Sequence, residues 1–261
     1  MKSKSTDSRP KVGFFVTCLV DAMRPNIGFA SLKVLEQAGC NVDVPRAQTC
    51  CGQPAFNSGD DPTTRAIARN VIETFTPYDY VVVPSGSCAS MIRVHYRELF
   101  ADEPEWAERQ AALSAKTWEI LSFLTDVLDF RPEGVRYEGV ATYHDSCSGL
   151  RDLGVHDQPR RLLGEVDGLT VVPLAGSNEC CGFGGTFCVK YPDVSNAIVS
   201  AKAEKITATE ADTLLGGDMG CLMNIAGKLS RIGSAVKAFH TIEVLAGMAE
   251  GAPICKPGVR R

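Results

Sequence analysis

Basic charge is in short supply: Lys and Arg total 27 against 31 Asp and Glu, for a net charge of −4. A nucleic-acid footprint would show as a basic stripe, and the sequence has none. No stretch approaches the ~18 consecutive apolar residues that a membrane span needs. The apolar run over 12–20 resembles the core of a signal peptide, but it contains Cys18, lacks a small-residue cleavage pattern and is soon followed by Asp21, Arg24 and Pro25. It reads better as a buried strand. These absences predict a cytoplasmic chain with no membrane span and no nucleic-acid partner. Also missing are a P-loop, a Gly-x-Ser-x-Gly elbow and a zinc-protease histidine pair. Gly182-x-Gly184 lacks the third glycine and the helix start of a dinucleotide loop.

Cysteine is what the chain has in excess, with eleven. Cytoplasmic thiol pools keep disulfides open, the count is odd, and a chain of 261 residues can bury a core without staples. Metal binding or redox chemistry is the reading that remains. Eight of the eleven fall into two sets in the same order: Cys18, Cys50, Cys51 and Cys88, then Cys147, Cys180, Cys181 and Cys221. The offsets between matching members are 129, 130, 130 and 133, and each adjacent pair is followed by glycine. Two sets in register are an internal duplication.

The elements between the cysteines repeat as well. Strands are expected over 11–18, 41–45 and 78–84 in the first half and over 139–143, 168–174 and 212–215 in the second. Helices are expected over 27–38, 61–75 and 89–99, then over 159–163, 194–207 and from 222 onward. Gly39 suits the end of the first helix and Pro62 the first turn of the second. The segment 119–124 matches 240–245, and residues 100–118 and 125–138 read as connections. Alternating elements of this length, with strands that are short unbroken apolar runs, imply an α/β fold of parallel sheets with helices on both faces. Ligands of such sheets sit beyond the carboxyl ends of the strands. Cys18, Cys88, Cys147 and Cys221 lie at or just past such ends, and both Cys-Cys pairs lie in loops that follow a strand. Each set can therefore converge on one edge of its own sheet. We expect a disordered lead over 1–10, half-domains over 11–130 and 131–250, and a tail over 251–261.

Four thiolates at one point make a soft, anionic site that suits zinc or an iron–sulfur cluster. Structural zinc usually takes close Cys-x-x-Cys pairs, whereas here adjacent cysteines join single ones more than 30 residues away. Adjacent cysteines diverge and more naturally touch two metals of one cluster. The glycines Gly52, Gly182, Gly184 and Gly185 allow backbone N–H groups to approach sulfur. The spacing favours iron–sulfur. Cys40, Cys188 and Cys255 have no counterparts and read as small buried hydrophobes, with Cys188 the best spare ligand and Cys255 peripheral. His144 and Asp145 precede Cys147 and can face the second site, where His144 could relay a proton, bond a cluster sulfide, cap a helix or sit satisfied in the core. His240 reads as structural, and His95 and His156 as helix-surface or loop residues. A carboxylate site would need an arginine and a base close together; of Arg24, Arg65, Arg93 and Arg151, the last follows Cys147 most closely.

The two sets resemble the CCG domain of heterodisulfide reductases and related iron–sulfur oxidoreductases. Within that group, four phrases are most similar to the lactate utilisation protein A family. They begin at Phe15 (through Asp21), Thr49 (through Asn57), Cys180 (through Phe187) and Gly217 (through Asn224), and the similarity covers about residues 11–250. The resemblance implies two CCG half-domains related by a pseudo-two-fold axis. It also implies a [4Fe–4S] cluster, one or two per chain, on the eight paired cysteines. It places the chain as the iron–sulfur subunit of a flavin-independent L-lactate oxidation system. The partners expected are a ferredoxin-type iron–sulfur protein and a small third subunit. This chain lacks the ferredoxin run Cys-x2-Cys-x2-Cys-x3-Cys-Pro, so it would need a partner to pass electrons onward. Each reductase set ends in Cys-x-x-Cys, and here the first of those positions are Ser85 and Asp218. Four candidate ligands remain at each site, enough for one [4Fe–4S] cluster, and the fifth needed for heterodisulfide cleavage is missing. Heterodisulfide-type thiol chemistry and a zinc-bearing assembly scaffold are the alternatives.

Overall fold

Short apolar runs that cannot satisfy their own backbone groups pair in parallel, and they do so twice in the same order. The computed structural model describes residues 9–256; residues 1–8 of the expected lead and 257–261 of the expected tail lie outside the described residues. The first sheet holds β1 (Lys11–Phe14), β2 (Asn41–Asp43), β3 (Tyr80–Val83) and β4 (Thr117–Glu119) in the order β2-β1-β3-β4. The second holds β5 (Arg136–His144), β6 (Asp167–Val172), β7 (Thr213–Gly216) and β8 (Lys237–His240) in the order β6-β5-β7-β8. Every pairing is parallel. This is the duplicated α/β fold that the sequence predicts.

Local chemistry sets the helix ends. Asp60 caps Asp61–Phe75 by accepting from the N–H of Thr63, and Pro62 sits in its first turn, where no donor is needed. Gly39, at φ +84°, follows the helix Pro25–Gln37 in the left-handed conformation that lets the chain turn into β2. Residues 100–118 are more than a connection. They contain the helix Pro104–Lys116 and the start of β4, the fourth strand of the first sheet. That helix is charged on one side but buries Gln110 and Leu113 on the other. The 125–138 connection likewise gives way to β5 at Arg136.

The halves share a core. Val12, Phe14, Val34, Leu35 and Phe123 from the first half pack in one cluster with Ala141, Leu163, Leu215, Phe239 and Val244 from the second. Separate clusters fill the outer sides, one around Phe75, Val81 and Tyr96 and one around Ala203, Leu214 and Ile225. The exchange is reciprocal: Thr241–Leu245 packs on the helix Pro25–Gln37, and Ile120–Ser122 packs on Asp157–Gly164. Buried Glu243 pins the first of these contacts, bonded by Asn26 Nδ2 (2.6 Å) and ion-paired with Arg24 (2.8 Å). Cutting the chain between the halves would expose the shared face of both sheets. No helix among the described residues is long and apolar enough to cross a membrane.

Candidate metal centres

Each single cysteine of the two sets sits in the first turn of a helix that follows a strand. Cys18 and Cys147 open the helices Cys18–Met23 and Cys147–Leu153, and Cys88 and Cys221 lie in Gly86–Ser90 and Met219–Arg231. Thr17, Ser146, Ser85 and Asp218 cap those four helices through their side chains. Short capped turns of this kind aim backbone N–H groups and positive dipole ends at sulfur, which favours thiolate over thiol. The Cys-Cys pairs lie in loops that bend at Gly52 (φ +86°) and Gly182 (φ +83°), a conformation glycine adopts without strain.

In the first set, Cys18 Sγ lies 3.8 Å from Cys50 Sγ, and Cys51 Sγ lies 3.4 Å from Cys88 Sγ. The second set forms the same chain of contacts, from Cys147 to Cys180, Cys181 and Cys221. Backbone donors point at the paired sulfurs: Gly52 N–H at Cys50 (3.4 Å), Gly182 N–H at Cys180 (3.3 Å) and Phe183 N–H at Cys181 (3.4 Å). Cys50 is held far below the ordinary thiol range, first because the Cys18 thiol donates to it and then because Cys51 does. Cys180 is held down in the same way, by Cys147 and then Cys181. The outer thiols Cys18 and Cys147 are pushed up by the same bonds. Each set thus has one sulfur that favours the thiolate, beside thiols that can lose their protons to a metal. Cys18 and Cys180 are exposed at the rim, while Cys51 and Cys181 are buried. The carbonyls of the buried pair are anchored alike, Cys51 by Tyr96 Oη and Cys181 by Asn224 Nδ2, both at 2.8 Å.

Ser85 and Asp218 meet each other. Ser85 Oγ donates to Asp218 Oδ2 at 2.9 Å, and the N–H of Ser87 donates to the same oxygen at 2.9 Å. Asp218 Oδ1 accepts from the N–H groups of Gly220 (3.1 Å) and Cys221 (3.3 Å). One buried carboxylate therefore joins the turn that carries Cys88 to the turn that carries Cys221. The CCG loops touch as well, with Lys190 Nζ 3.3 Å from Ser58 Oγ. The first set opens on a cavity of about 200 Å³ that the second half helps to wall through Phe183, Gly185 and Met219.

The surroundings of the two sets differ. Three residues before Cys18 stands Phe15, packed 5.5 Å from Phe75; three before Cys147 stands His144. His144 is 1% exposed and neither ring nitrogen has a hydrogen-bond partner. Its pKa is lowered to about 4, by burial first and then by the charge of Lys202. One ring nitrogen lies within 4.8 Å of both Cys181 Sγ and Cys221 Sγ. Asp145 turns away to a two-pronged pair with Arg160 (2.9 and 2.8 Å). Lys202, buried on the inner face of Pro192–Ala208, donates to the carbonyls of Gly176 (2.6 Å) and Ser177 (3.3 Å) in the loop before Cys180. Sequence reasoning missed Lys202, although a lysine in step with Ser195, Val199 and Ile206 on one helix face was the available signal. It missed Tyr96 and Asn224 too.

The remaining candidates sit elsewhere. Cys40 is buried in the core; Cys188 donates to the Gly185 carbonyl at 3.4 Å; Cys255 packs against the outer core of the second half. His240 caps Thr241–Leu245, His95 rests on Phe56, and His156 pairs with Asp157 at the surface. Arg24 is engaged by Glu243 and Arg65 by Glu103; Arg93 lies over Trp118, and Arg151 is exposed on the helix that Cys147 opens. None of the four arginines lines the cavity on the first set, and no Lys, Asp or Glu does.

Comparison with known proteins places this geometry among relatives. A family model described as a cysteine-rich domain, CCG, matches residues 12–93 and again 141–226. A curated protein of Exiguobacterium named lactate utilization protein A is 50% identical over 238 residues, 90% of this chain and 97% of its own length. Its namesake in Geobacillus thermodenitrificans is 47% identical over 235 residues, 90% of this chain and 98% of that one. A crystal structure of a hypothetical protein from Helicobacter pylori matches 93% of this chain with a TM-score of 0.65 at 10% identity. This chain spans about half, 49%, of that one, and the likeness is one of fold.

Proposed function

The chain belongs to the lactate utilization protein A family and carries two CCG cysteine-rich domains, and from that premise we propose that it is the iron–sulfur subunit of an L-lactate oxidation system. Oxidation of L-lactate to pyruvate releases two electrons and two protons. A bound [4Fe–4S] cluster would supply one-electron transfer at each cysteine set. The observation that carries this reading is the pair of four-thiol groups, each with backbone N–H donors on its sulfurs. Cys18, Cys50, Cys51 and Cys88 would hold the first cluster, and Cys147, Cys180, Cys181 and Cys221 the second.

The donor set fits the group: four thiols in one chain of contacts, N–H groups that offset added negative charge, and a largely apolar wall on the first site. The Ser85–Asp218 bond ties the two ligand-bearing turns together, so neither moves alone when charge arrives. The cavity on the first set lacks the cationic partner that a carboxylate requires, so lactate would not bind in that cavity. The expected partners are a ferredoxin-type iron–sulfur protein and a small third subunit. Heterodisulfide cleavage is disfavoured because the two positions where the reductases carry a further cysteine are bonded to each other.

Iron, acid-labile sulfide, zinc and the visible spectrum, measured together on anaerobically purified protein, test the proposal. We expect brown protein with about eight irons per chain, halved by Cys50→Ser and by Cys180→Ser. Four irons lost only on the Cys180 change would leave the first set as scaffold. Colourless protein with stoichiometric zinc would sink the electron-transfer reading, since a d10 ion has no such absorption.

A further inference from the structure

The two cysteine sets share spacing, caps and N–H donors, yet only the second has a side chain other than cysteine aimed at its sulfurs with no other partner. His144 ends β5 and is 1% exposed. Among the described residues with an orphaned buried polar atom, it alone has two, Nδ1 and Nε2. A buried imidazole usually binds a carbonyl or carboxylate, and leaving both nitrogens unpaired costs free energy that the fold must recover elsewhere. The nearby carboxylates are already committed: Asp145 to Arg160, and Asp218 to Ser85 and three backbone N–H groups. What remains within reach is sulfur, with one His144 nitrogen and the sulfurs of Cys181 and Cys221 all within 4.8 Å of one another. That is the arrangement of a mixed nitrogen–sulfur metal site.

We propose that His144 is a nitrogen donor of the second metal centre, taking one iron in place of one of the four thiolates of that set, so that the two centres of this chain have unlike donor sets, sulfur alone in the first and sulfur with imidazole in the second. The first half cannot copy it, because Phe15 occupies the equivalent place and packs on Phe75. Imidazole adds no negative charge where thiolate would, and iron–sulfur centres with histidine donors have more positive potentials than their all-cysteine counterparts. Electrons would then settle preferentially on the second centre, and Lys202, buried beside it, acts in the same direction. This rests on the reading that the cysteine sets hold iron–sulfur clusters.

Pulsed EPR of the anaerobically reduced full chain, beside iron and sulfide analysis and a redox titration, tests it. Wild-type protein is expected to show a directly bonded nitrogen coupling that changes when histidine alone is labelled with 15N. In His144→Phe, which gives the second half the residue of the first, that coupling should vanish and the second midpoint potential should fall toward the first. If the variant fails to fold, the labelled wild type decides. Full iron and sulfide without a histidine coupling in wild type would overturn the proposal and leave the cluster reading intact. Absence of iron and sulfide would overturn both.

Discussion

Around the first cysteine set the chain places Phe15, Val16 and Val71; at the matching positions around the second it places His144, Asp145 and Lys202. The Val71–Lys202 match follows from packing: Gly52 faces Thr64 and Ile67, Gly182 faces Ser195 and Ile198, and the same offset carries Val71 to Lys202. The two halves keep one sheet order, one order of cysteines and one pattern of capped turns. They differ in whether the atoms behind the thiols are apolar or ionisable. The shared features are those that bring four sulfurs together, and the divergent ones are those that would set a potential. The duplicated fold is thus a holder, and its lining is free to distinguish one centre from the other.

The largest break in the symmetry lies at Ser85 and Asp218, equivalent positions with unequal duties. Asp218→Ala would leave the N–H groups of Ser87, Gly220 and Cys221 and the hydroxyl of Ser85 without their acceptor at a buried seam. The expected loss is about 4 kcal/mol of unfolding free energy, against about 2 kcal/mol for Ser85→Ala, which removes one cap and one of the four bonds to the carboxylate. Chemical denaturation of both variants measures the difference. Equal losses would show that the seam does not depend on the carboxylate.

The next contrast is in pH. Glu119 and His240 end β4 and β8, and each caps the helix that follows. Burial, reinforced by the charges of Asp218 and Asp126 and opposed by the N–H groups of Ser122 and Leu121, raises the Glu119 pKa from 4.5 to about 7. Between these values the folded chain keeps a proton that the unfolded chain has released. The contribution is therefore complete below pH 4.5 and lost as pH rises through 7, a change of about 3 kcal/mol. Burial lowers the pKa of His240, so its contribution has the opposite sign and is lost as pH falls below the ordinary histidine range. Glu119→Gln keeps a cap oxygen and should flatten the loss of stability between pH 5 and 8. A slope unchanged in that variant would mean that Glu119 ionises normally in the fold.

Much of this architecture is legible in the sequence because the duplication reads itself twice. The helix Asp61–Phe75 is visible from Asp61, Pro62 and Thr63 at its start, and the strands from their unbroken apolar runs. The helix Pro104–Lys116 and β4 are not, since Glu105, Glu108 and Arg109 dominate a segment whose buried side is narrow and whose strand is three residues long. The Ser85–Asp218 bond spans 133 residues and links two polar residues that each look like an ordinary cap, so only the fold reveals the pair. His144 is legible as a neighbour of Cys147; its lack of any partner is not, because satisfaction is a property of packing.

The finest contrast is in the Cys-Cys-Gly turns themselves. Gly52 and Gly182 have nearly the same backbone, φ +86° and +83°, so alanine at either costs about 1 kcal/mol for the left-handed conformation. The space around them is unequal. A Cβ on Gly52 would meet Ile67 and Thr64 side chains at 3.4 and 3.5 Å, ordinary contact. A Cβ on Gly182 would come within 2.7 Å of the Ser195 backbone carbonyl, while Ser195 Oγ already holds the Gly182 carbonyl at 2.8 Å. Neither the helix backbone nor the loop can yield without disturbing Cys181, whose carbonyl Asn224 holds in the same turn. Gly182→Ala should therefore cost about 1–2 kcal/mol more than Gly52→Ala, by strain of the kind that overpacking imposes. It should also loosen metal retention at the second set while Gly52→Ala leaves the first set loaded. Denaturation midpoints and iron content of the two variants check this. Equal costs would mean that the second turn relaxes as freely as the first, and that the inequality of the halves lies in their charges alone.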